Sequence, residues 1–359
     1  MDKPVAHLIR SIDLGGAEKQ LLQLTILQAK TRKVKVLYFS GTPTLLYDFK
    51  KHGIEVFKMP SGIISKIIYL NSVAREGNII HTHLPHAELF ASLFLRRKFS
   101  FLTTRHVAGN FSRRLPEFLG ILLLNFILLR TKQIITISNV VKRDIVKKSV
   151  MKKMIQNKST VIYYGFPSQE WSTLAKFDAR DGRKEHCPIV IGTISRLEKQ
   201  KNLDSLLLAF QRLNRKDLEL KIIGQGTQEK KLNSLTKRLG LHAQVKFLGK
   251  TRKVMEFLDS IDIFILASKY EGFGIVLVEA ASRGRPILAS KLPICLEVLG
   301  LDGALFFDPN NISDMVATIQ KGLEQFPMTR QISNAGAKIR EYDLETLISR
   351  TDMVYENLY

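Results

Sequence analysis

Two glutamates that flank a glycine-rich turn are the first residues here whose types and spacing suggest chemistry. Glu271 and Glu279 stand eight residues apart, on either side of Gly272-Phe273-Gly274. The stretch that carries Glu279 reads IVLVEAA, and a carboxylate there is costly unless hydrogen-bond donors surround it. The two hydroxyls of a ribose would supply such donors, and Glu271 could hold hydroxyls of a second sugar. An internal salt bridge from Glu279 to Arg283 or Arg285 is the alternative.

Two cations lie on a loop that follows a predicted buried strand and precedes an amphipathic helix. They are Arg196 and Lys201, five residues apart. A forked guanidinium and a flexible ammonium can together neutralise a diphosphate. The pair therefore predicts an anion site, with solvated surface cations as the alternative.

A second glycine-rich junction lies near the start of the chain, where Gly15 and Gly16 separate a predicted strand from a helix. Paired glycines let bare backbone approach a ligand, and the amides of a helix start attract anions. The segment has neither the G-x-G-x-x-G spacing of dinucleotide folds nor the Gly-Lys-Ser/Thr of a phosphate loop. Hydride transfer and kinase chemistry are therefore not supported, and a plain tight turn is the alternative.

The histidines offer a weaker signal. His81 and His83 alternate along one predicted strand, so they share a face and could bind a metal ion. The sequence shows no third ligand beside them and no Asp-x-Asp motif near a strand end. No metal is therefore predicted.

Short β-branched and aliphatic runs that alternate with helical segments must position these residues. Such alternation is typical of βαβ units with a parallel sheet, in which ligands bind beyond the carboxyl ends of the strands. The predicted strands are residues 5–9, 34–39, 54–57, 79–82, 101–104, 134–137 and 160–163 in the first half, and 189–194, 219–223, 245–247, 263–266, 287–289 and 304–307 in the second.

The length of 359 residues is enough for two cores. We predict an N-terminal domain over 1–168, a polar linker over 169–188, and a C-terminal domain over 189–340. Apolar residues recur at helical spacing over 341–359, which predicts a terminal helix that packs back on the N-terminal domain.

Positive charge is concentrated in the first half of the chain. The net charge is +22, and residues 1–168 carry 27 Lys and Arg against 9 Asp and Glu. This asymmetry favours a polyanionic partner, which could be nucleic acid, an anionic membrane leaflet or a phosphate-bearing substrate. The basic runs lack interleaved aromatic residues and a recognition-helix motif, so specific nucleic-acid binding is not predicted.

An apolar stretch at 119–129 lies between cations and is too short to span a bilayer. The bracketing residues are Arg113, Arg114, Arg130 and Lys132. An interfacial helix and a core helix are both consistent with this pattern. The start of the chain does not read as a secretory signal, and the two cysteines form no disulfide framework or metal-ligand cluster. A cytoplasmic protein at the inner face of the membrane is therefore predicted.

The order and spacing of these motifs resemble the retaining family-4 glycosyltransferases of GT-B fold, across nearly the whole chain. The match rests on Glu271-x7-Glu279, on Arg196 with Lys201, and on Gly15-Gly16-Ala17-Glu18. Supporting matches are Ile222-Ile223-Gly224-Gln225-Gly226, Val245-Lys246-Phe247-Leu248-Gly249, Ile137-Ser138 and Phe307-Asp308-Pro309-Asn310. The resemblance implies an α/β fold of two Rossmann-like, doubly wound domains that face each other across a cleft.

The resemblance also implies a role for each matching carboxylate and cation. Arg196 and Lys201 would bind the donor diphosphate, in agreement with their chemistry. Glu279 would hold the ribose, and Glu271 would contact the donor sugar as a catalytic residue.

Further implied contacts involve backbone groups and one histidine. Amides at Phe273, Gly274 and Ile275 would face the sugar and phosphate. The Gly15-Gly16 loop would close over the donor. His106, which follows the predicted strand at 101–104, would lie close to the donor sugar as a second catalytic residue, and a hydrogen-bonded loop histidine without a catalytic role is the alternative.

The implied reaction is retaining transfer of a hexose or N-acetylhexosamine from a nucleotide diphosphate sugar. A UDP-sugar is favoured as the donor, with GDP-mannose second, and no cofactor or metal is required. The resemblance makes 1–168 the acceptor-binding domain and 189–340 the nucleotide-sugar-binding domain. From the positive charge of the first half and its apolar helix between cations we expect a lipid-linked or cell-surface polysaccharide acceptor, such as lipopolysaccharide, and docking of the basic N-terminal domain on anionic membrane. A nucleotide-sugar epimerase, a sugar phosphorylase, a non-catalytic relative, and a basic protein that binds nucleic acid or membrane are the alternatives.

Overall fold

A computed structural model describes residues 3–107, 116–167 and 188–358. The chain divides into two compact units: Met1–Phe166 together with Tyr342–Tyr359, and Pro167–Glu341. Of the predicted linker at 169–188, only position 188 is among the described residues. Arg113, Arg114 and Cys187 also lie outside the described residues.

The first unit contains a seven-stranded parallel sheet in the order β3-β2-β1-β4-β5-β6-β7. Its strands are β1 Val5–Ile9, β2 Val34–Tyr38, β3 Glu55–Lys58, β4 Ile79–His83, β5 Phe101–Arg105, β6 Gln133–Thr136 and β7 Ser159–Val161. The central strands β1, β4 and β5 are buried along their whole length, as expected where helices cover both faces of a sheet.

Helices connect these strands and cover the sheet. They are α1 Gly16–Gln28, α2 Leu46–Lys51, α3 Ile63–Arg75, α4 Leu84–Phe94, α5 Glu117–Arg130, α6 Asn139–Lys148 and α7 Lys152–Asn157. Among the described residues, none of the helices combines the length and the apolar character that crossing a bilayer requires.

The second unit contains a six-stranded parallel sheet in the order β10-β9-β8-β11-β12-β13. Its strands are β8 Ile189–Ile194, β9 Leu218–Ile223, β10 Val245–Phe247, β11 Ile263–Leu266, β12 Ile287–Ser290 and β13 Leu305–Phe307. Its helices are α8 Leu203–Leu213, α9 Glu229–Arg238, α10 Val254–Asp259, α11 Ile275–Ser282, α12 Pro293–Leu299, α13 Ile312–Glu324 and α14 Thr329–Ile339.

Both sheets are doubly wound, so the α/β fold expected from the sequence is confirmed, and every predicted strand is present to within two residues at each end. In each sheet the strand order reverses beside the first strand, between β1 and β4 and between β8 and β11. Ligand sites of such folds lie beyond the carboxyl ends of the strands at these switch points.

The last helix, α15 (Leu344–Glu356), belongs to the first unit. The Phe166 amide donates to the Tyr342 carbonyl at 2.9 Å, and Arg32 pairs with Asp352 at 2.8 Å. Apolar side chains of α15 and the residues beside it join a core cluster with β1 and α1: Leu347, Val354, Tyr355, Leu358, Val5 and Leu24.

The N-cap of α15 is expected to contribute to stability in a pH-dependent way. Asp343 accepts hydrogen bonds from the Thr346 amide and hydroxyl, both at 2.6 Å. Partial burial alone would raise the pKa of Asp343, but the hydrogen bonds from Thr346 lower it overall. Asp343→Ala should therefore reduce the free energy of unfolding by about 1 kcal/mol at neutral pH, the usual cost of losing a cap.

A carboxylate whose pKa is depressed by folding stabilises the protein above its unfolded pKa, which is about 3.9. The difference between wild type and Asp343→Ala should therefore shrink as the pH falls through this region and below. Urea denaturation at several pH values measures it, with Asp302→Ala, an exposed aspartate, as the control. A penalty that does not depend on pH would contradict the capping role.

Candidate functional site

The loops that follow β8 and β11 meet at the switch point of the second unit. The Lys269 amide donates to the Gln200 carbonyl at 2.8 Å. The Lys201 ammonium pairs with Glu271 Oε1 at 2.6 Å, and their side chains are only 12% and 10% exposed. The structure thus brings together two predicted site residues that are 70 positions apart in sequence.

Glu271 is held from a second side as well. The Ser268 hydroxyl donates to the same Oε1 at 2.6 Å, and Ser268 is fully buried at the end of β11. The Glu271 carboxylate is therefore fixed by one cation and one hydroxyl, while Lys201 has two further N–H donors. Arg196 lies exposed on the β8 loop.

The loop after β9 supports the shape of the β8 loop. The Ser195 amide donates to the Ile223 carbonyl at 2.9 Å, and the Leu197 amide donates to the Gln225 carbonyl at 3.0 Å. Gly224 has φ +145°, and a Cβ there would lie 1.7 Å from the Ser195 carbonyl oxygen. This explains physically why the Gly224-Gln225-Gly226 segment starts with glycine.

The Gly-Phe-Gly turn becomes the start of α11. Gly274 is its N-cap in the left-handed region, at φ +81°, and Phe273 is buried. The amide groups of a helix start favour negative charge, as the sequence analysis expected of the segment at Gly274 and Ile275. This geometry is consistent with the predicted backbone contacts, whose role in binding stays a prediction.

Glu279 lies on α11 and is 9% exposed. The burial expected from its apolar neighbours is thus confirmed. Of the two arginines named as alternative partners, Arg283 contacts Asp259 through Nε at 2.7 Å and Nη2 at 2.5 Å. Arg285 donates from Nη1 to the Ile261 carbonyl at 2.9 Å. The ribose-binding role of Glu279 stays a prediction.

Two hydroxyls at the end of β8 were missed by the sequence analysis. Thr193 and Ser195 are buried, and among the described residues neither hydroxyl has a hydrogen-bond partner. A Thr-x-Ser pair directly before the cationic loop is the signal that could have identified them. They add hydrogen-bonding capacity beside Arg196.

The predicted Gly-Gly loop of the first unit leads into α1. Gly15 is the N-cap, and Gly16 is the first residue of the helix and is exposed. The Glu18 carboxylate folds back over the loop, since a Cβ on Gly15 would lie 2.2 Å from Glu18 Oε2. In this structure, therefore, a side chain of the helix itself lies over Gly15.

A cluster of four buried histidines lies at the switch point of the first unit. His7 on β1 pairs in register with His81 on β4, and His83 and His106 follow at the ends of β4 and β5. His7 Nδ1 lies 2.9 Å from His83 Nε2, and His83 Nδ1 lies 3.1 Å from His106 Nε2. His106 Nδ1 lies 2.6 Å from the Tyr164 hydroxyl.

The cluster continues towards α1 and α15. His7 Nε2 lies 2.7 Å from Gln28 Oε1, and Gln28 Nε2 donates to the Tyr355 hydroxyl at 2.9 Å. His81 Nδ1 lies 2.8 Å from the same hydroxyl, and His81 Nε2 lies 2.7 Å from Thr104 Oγ1. Each of the four rings therefore has both nitrogens in a hydrogen bond.

Burial keeps these rings neutral. Desolvation lowers the pKa of His7 to about 4 and, with a contribution from the positive charge of Arg105, lowers the pKa of His106 to about 3. Desolvation and the neighbouring histidines also hold the pKa values of His81 and His83 well below the usual range.

These contacts bear on the predicted role of His106. Its pKa is far below neutral, and both nitrogens are already engaged by His83 and Tyr164. A sugar hydroxyl could reach a ring nitrogen only by displacing one of these partners. The catalytic role of His106 stays a prediction, and the alternative of a hydrogen-bonded structural histidine gains support.

No third partner for His81 and His83 is evident from the sequence, and the structure supplies His7. One ligating atom from each of the three lies within 4.8 Å of the others, which is a spacing that could hold a metal ion. The His81 and His83 rings, however, lie 4.2 Å apart with an interplanar angle of 32°. A metal ion lies near the plane of each imidazole that binds it, so two tilted, stacked rings suit hydrogen bonding better.

A cavity of about 30 Å³ adjoins the histidines. Its polar lining includes Gln20, His83, His106 and Tyr164. Gln20 Oε1 is buried and has no hydrogen-bond partner among the described residues. The volume suits a water molecule.

Two doubly wound sheets, each with polar side chains at its switch point, define a two-domain protein of the GT-B class. Solved structures agree on the fold. The crystal structure of Anabaena HepE in complex with UDP and glucose has a TM-score of 0.84, with 20% identity over 99% of this chain and 100% of that one.

Sequence comparisons find similarity to glycosyltransferases over about half of the chain. Residues 176–339 match the family model for glycosyl transferases group 1. The O-antigen biosynthesis glycosyltransferase WclY of Escherichia coli is 26% identical over 56% of this chain and 56% of its own length. An uncharacterised glycosyltransferase of Haemophilus influenzae is 30% identical over 44% of this chain and 46% of its own length. The chain thus spans about half the length of the curated relatives it matches. These comparisons show that the second half of the chain is similar to glycosyl transferases group 1, and that the whole chain shares the fold of the solved glycosyltransferase-like structures.

The close approach of Gly224 to the β8 loop yields a second prediction. Gly224→Ala adds a methyl group against the Ser195 carbonyl at a backbone angle that disfavours side chains, so it should cost at least about 2 kcal/mol of unfolding free energy. Gly240→Ala is the control, because Gly240 also has a positive φ, of +72°, but no atom within 4 Å of the added Cβ. Urea denaturation compares the two variants, and equal losses would contradict a steric role.

Proposed function

We propose that this protein is a retaining glycosyltransferase that transfers a hexose or N-acetylhexosamine from a UDP-sugar to a lipid-linked or cell-surface polysaccharide. The observation that carries the proposal is the cluster at the β8–β11 switch point. There Lys201, Glu271 and Ser268 are joined by hydrogen bonds, and Glu279 lies buried on the adjoining helix.

Charge complementarity supports a nucleotide diphosphate as the donor. Arg196 is exposed, and Lys201 gives one of its three donors to Glu271, which leaves two donors for phosphate oxygens. The α11 start at Gly274 adds a partial positive charge. The solved structures of HepE with UDP and with UDP-glucose favour uridine as the base.

These groups would act where negative charge develops. Retaining transfer without a carboxylate nucleophile requires the departing diphosphate to accept the proton of the acceptor hydroxyl, while the sugar passes through an oxocarbenium-like state. Stabilising the leaving group then dominates catalysis. Arg196 and Lys201 supply that stabilisation in the proposed mechanism, which requires no metal.

Helix α5 supports an acceptor at a membrane surface. Its inner face is buried at Leu124 and Leu128, while a stripe at spacings of three and four residues is exposed: Phe118, Leu122, Phe126 and Leu129. A helix that is apolar all round normally has both faces covered. The core and interfacial interpretations left open by the sequence therefore apply to opposite faces of one helix.

Cations lie at the C-terminal end of this helix. Arg130 donates to the carbonyls of Ser92 and Leu95, at 3.2 and 2.9 Å, which brings the end of α5 next to the end of α4. The exposed run Arg96-Arg97-Lys98 follows directly. An apolar face edged by cations suits an anionic leaflet, and we propose that this face docks on the cytoplasmic side of the membrane.

Ligand-induced stabilisation tests the donor site. A ligand that binds only the native state stabilises it by about 2.7 kcal/mol at 100 times its Kd. UDP should therefore raise the melting temperature more than GDP or ADP, because uridine is the proposed base. Glu279→Gln should weaken the shift by UDP and leave that by pyrophosphate, since only UDP carries a ribose. Arg196→Met should weaken both. Lys199→Met, an exposed lysine of the same loop, is the matched control.

Turnover distinguishes the proposed reaction from its alternatives. UDP release from a UDP-sugar should depend on a lipid-linked glycan, persist in EDTA, and give a product with the anomeric configuration of the donor by NMR. Donor conversion without an acceptor would indicate an epimerase, and a requirement for inorganic phosphate would indicate a phosphorylase. Either result would overturn the proposal.

Liposome flotation tests the membrane surface. Leu122 and Leu129 are 61% and 48% exposed, and Leu301 and Leu248 of the second unit are 76% and 48% exposed. The double variant Leu122→Ser/Leu129→Ser should lower the partition coefficient by about tenfold or more, because burying a leucine is worth about 1.5–3 kcal/mol. Leu248→Ser/Leu301→Ser should have no effect. Equal recovery with and without acidic lipid would exclude the docking proposed here.

A further inference from the structure

The hydrogen bonds around the four buried histidines have a consistent direction that can be followed atom by atom. A neutral imidazole has one N–H donor and one nitrogen acceptor. The Gln28 carbonyl oxygen can only accept, so His7 must donate from Nε2 and accept at Nδ1. His83 must then donate from Nε2 to His7 and accept at its own Nδ1.

The same rule extends the chain to both ends. His106 must donate from Nε2 to His83, and Tyr164 must donate its hydroxyl hydrogen to His106 Nδ1. On the other side, the Gln28 amide donates to the Tyr355 oxygen, so Tyr355 is free to donate to His81 Nδ1. His81 then donates from Nε2 to Thr104.

All seven hydrogen bonds are satisfied in this arrangement, and all four histidines carry their proton on Nε2. We propose that Gln28 is a positioning residue: the orientation of its amide sets the direction of the whole chain and thereby decides which nitrogen of His106 carries the proton. Rotating that amide by 180° reverses every bond and moves each imidazole proton to Nδ1. No mixture of the two directions satisfies His7, His83 and His106 together.

The direction matters for a ligand at His106. In the proposed direction His106 Nδ1 is an acceptor, occupied by the Tyr164 hydroxyl. A sugar hydroxyl that replaced Tyr164 would have to donate to this nitrogen. In the reversed direction the same nitrogen would donate. This consequence rests on the proposed function, whereas the direction of the hydrogen bonds does not.

The chain also links parts of the first unit that are distant in sequence. Gln28 is the last residue of α1, whose first turn follows the Gly-Gly loop. Tyr355 lies on α15, 327 positions away. Leu84, next to His83, has φ +69°, an angle that is costly for a leucine and occurs where the surrounding structure enforces it. The backbone next to His83 is therefore held in place by its surroundings.

Tautomers can be measured directly by ¹⁵N–¹H NMR of the full chain with labelled histidine. We expect His7, His83 and His106 to be neutral with the proton on Nε2, and His81 to match them. Any difference among His7, His83 and His106, or a charged ring among them, would overturn the proposal. A shift of these resonances with equimolar Zn²⁺ would show that the histidines form a metal site and not a hydrogen-bonded chain, and it would also overturn the proposal.

Two variants of Gln28 sharpen the test. Gln28→Glu replaces the amide by a carboxyl group that still accepts at the oxygen facing His7, so His7, His83 and His106 should keep their protons on Nε2. Gln28→Met removes both bonds, so His106 should populate both tautomers. Gln23→Glu, on the same helix and outside the chain, should change no tautomer.

Activity provides a second, separable measurement. Gln28→Glu preserves the tautomer of His106, so kcat should stay within about twofold of wild type. Gln28→Met should lower kcat about tenfold or more with an unchanged KM for the donor, as expected when a reacting group is misplaced. Equal kcat in both variants would contradict positioning through the tautomer. If no transfer is detected but the tautomers are as stated, the proposed function is wrong, whereas the proposed direction of the hydrogen bonds is confirmed.

Discussion

Polar groups that are removed from water must be hydrogen-bonded, and this requirement shapes both switch points of the protein. Buried parallel sheets offer few backbone partners to side chains, because their own amides and carbonyls are paired along the strands. In the second unit, Lys201 and Ser268 satisfy Glu271. In the first unit, three of the four buried histidines are hydrogen-bonded in series, and polar side chains complete the bonds of all four rings: Gln28, Thr104, Tyr164 and Tyr355.

The two clusters meet the requirement in different ways. The second unit uses charge, and a part-buried ion pair retains the capacity to bind a further anion because the lysine has unused donors. The first unit uses neutral rings whose charged forms are suppressed by burial. An ion pair can exchange partners when a ligand arrives, whereas a chain of neutral rings can change only by reversing as a whole. The second unit is thus suited to binding a charged ligand and the first to fixed orientation.

The sequence predicted the strands well, because β-branched and aliphatic runs report burial in a parallel sheet directly. It also placed Arg196, Lys201, Glu271 and Glu279 at strand ends and on the helix that follows. It could not predict that Lys201 and Glu271 bind each other, since their 70-residue separation is bridged only by strand order. His7 was missed for a related reason, because a single histidine in the apolar strand VAHLI resembles an ordinary core position.

The histidine chain shows where inference from sequence reaches its limit. Its members come from α1, three neighbouring strands, the segment after β7 and α15. Hydrophobic periodicity reports only the face on which a residue lies. Which side chains of neighbouring strands meet depends on the register between the strands. Here His7 lies opposite His81 in the β1–β4 ladder. A shift of this register by one residue would turn His7 to the other side of the sheet and leave His83 Nε2 without its partner. The apolar residues that fix the register therefore also fix the proton positions.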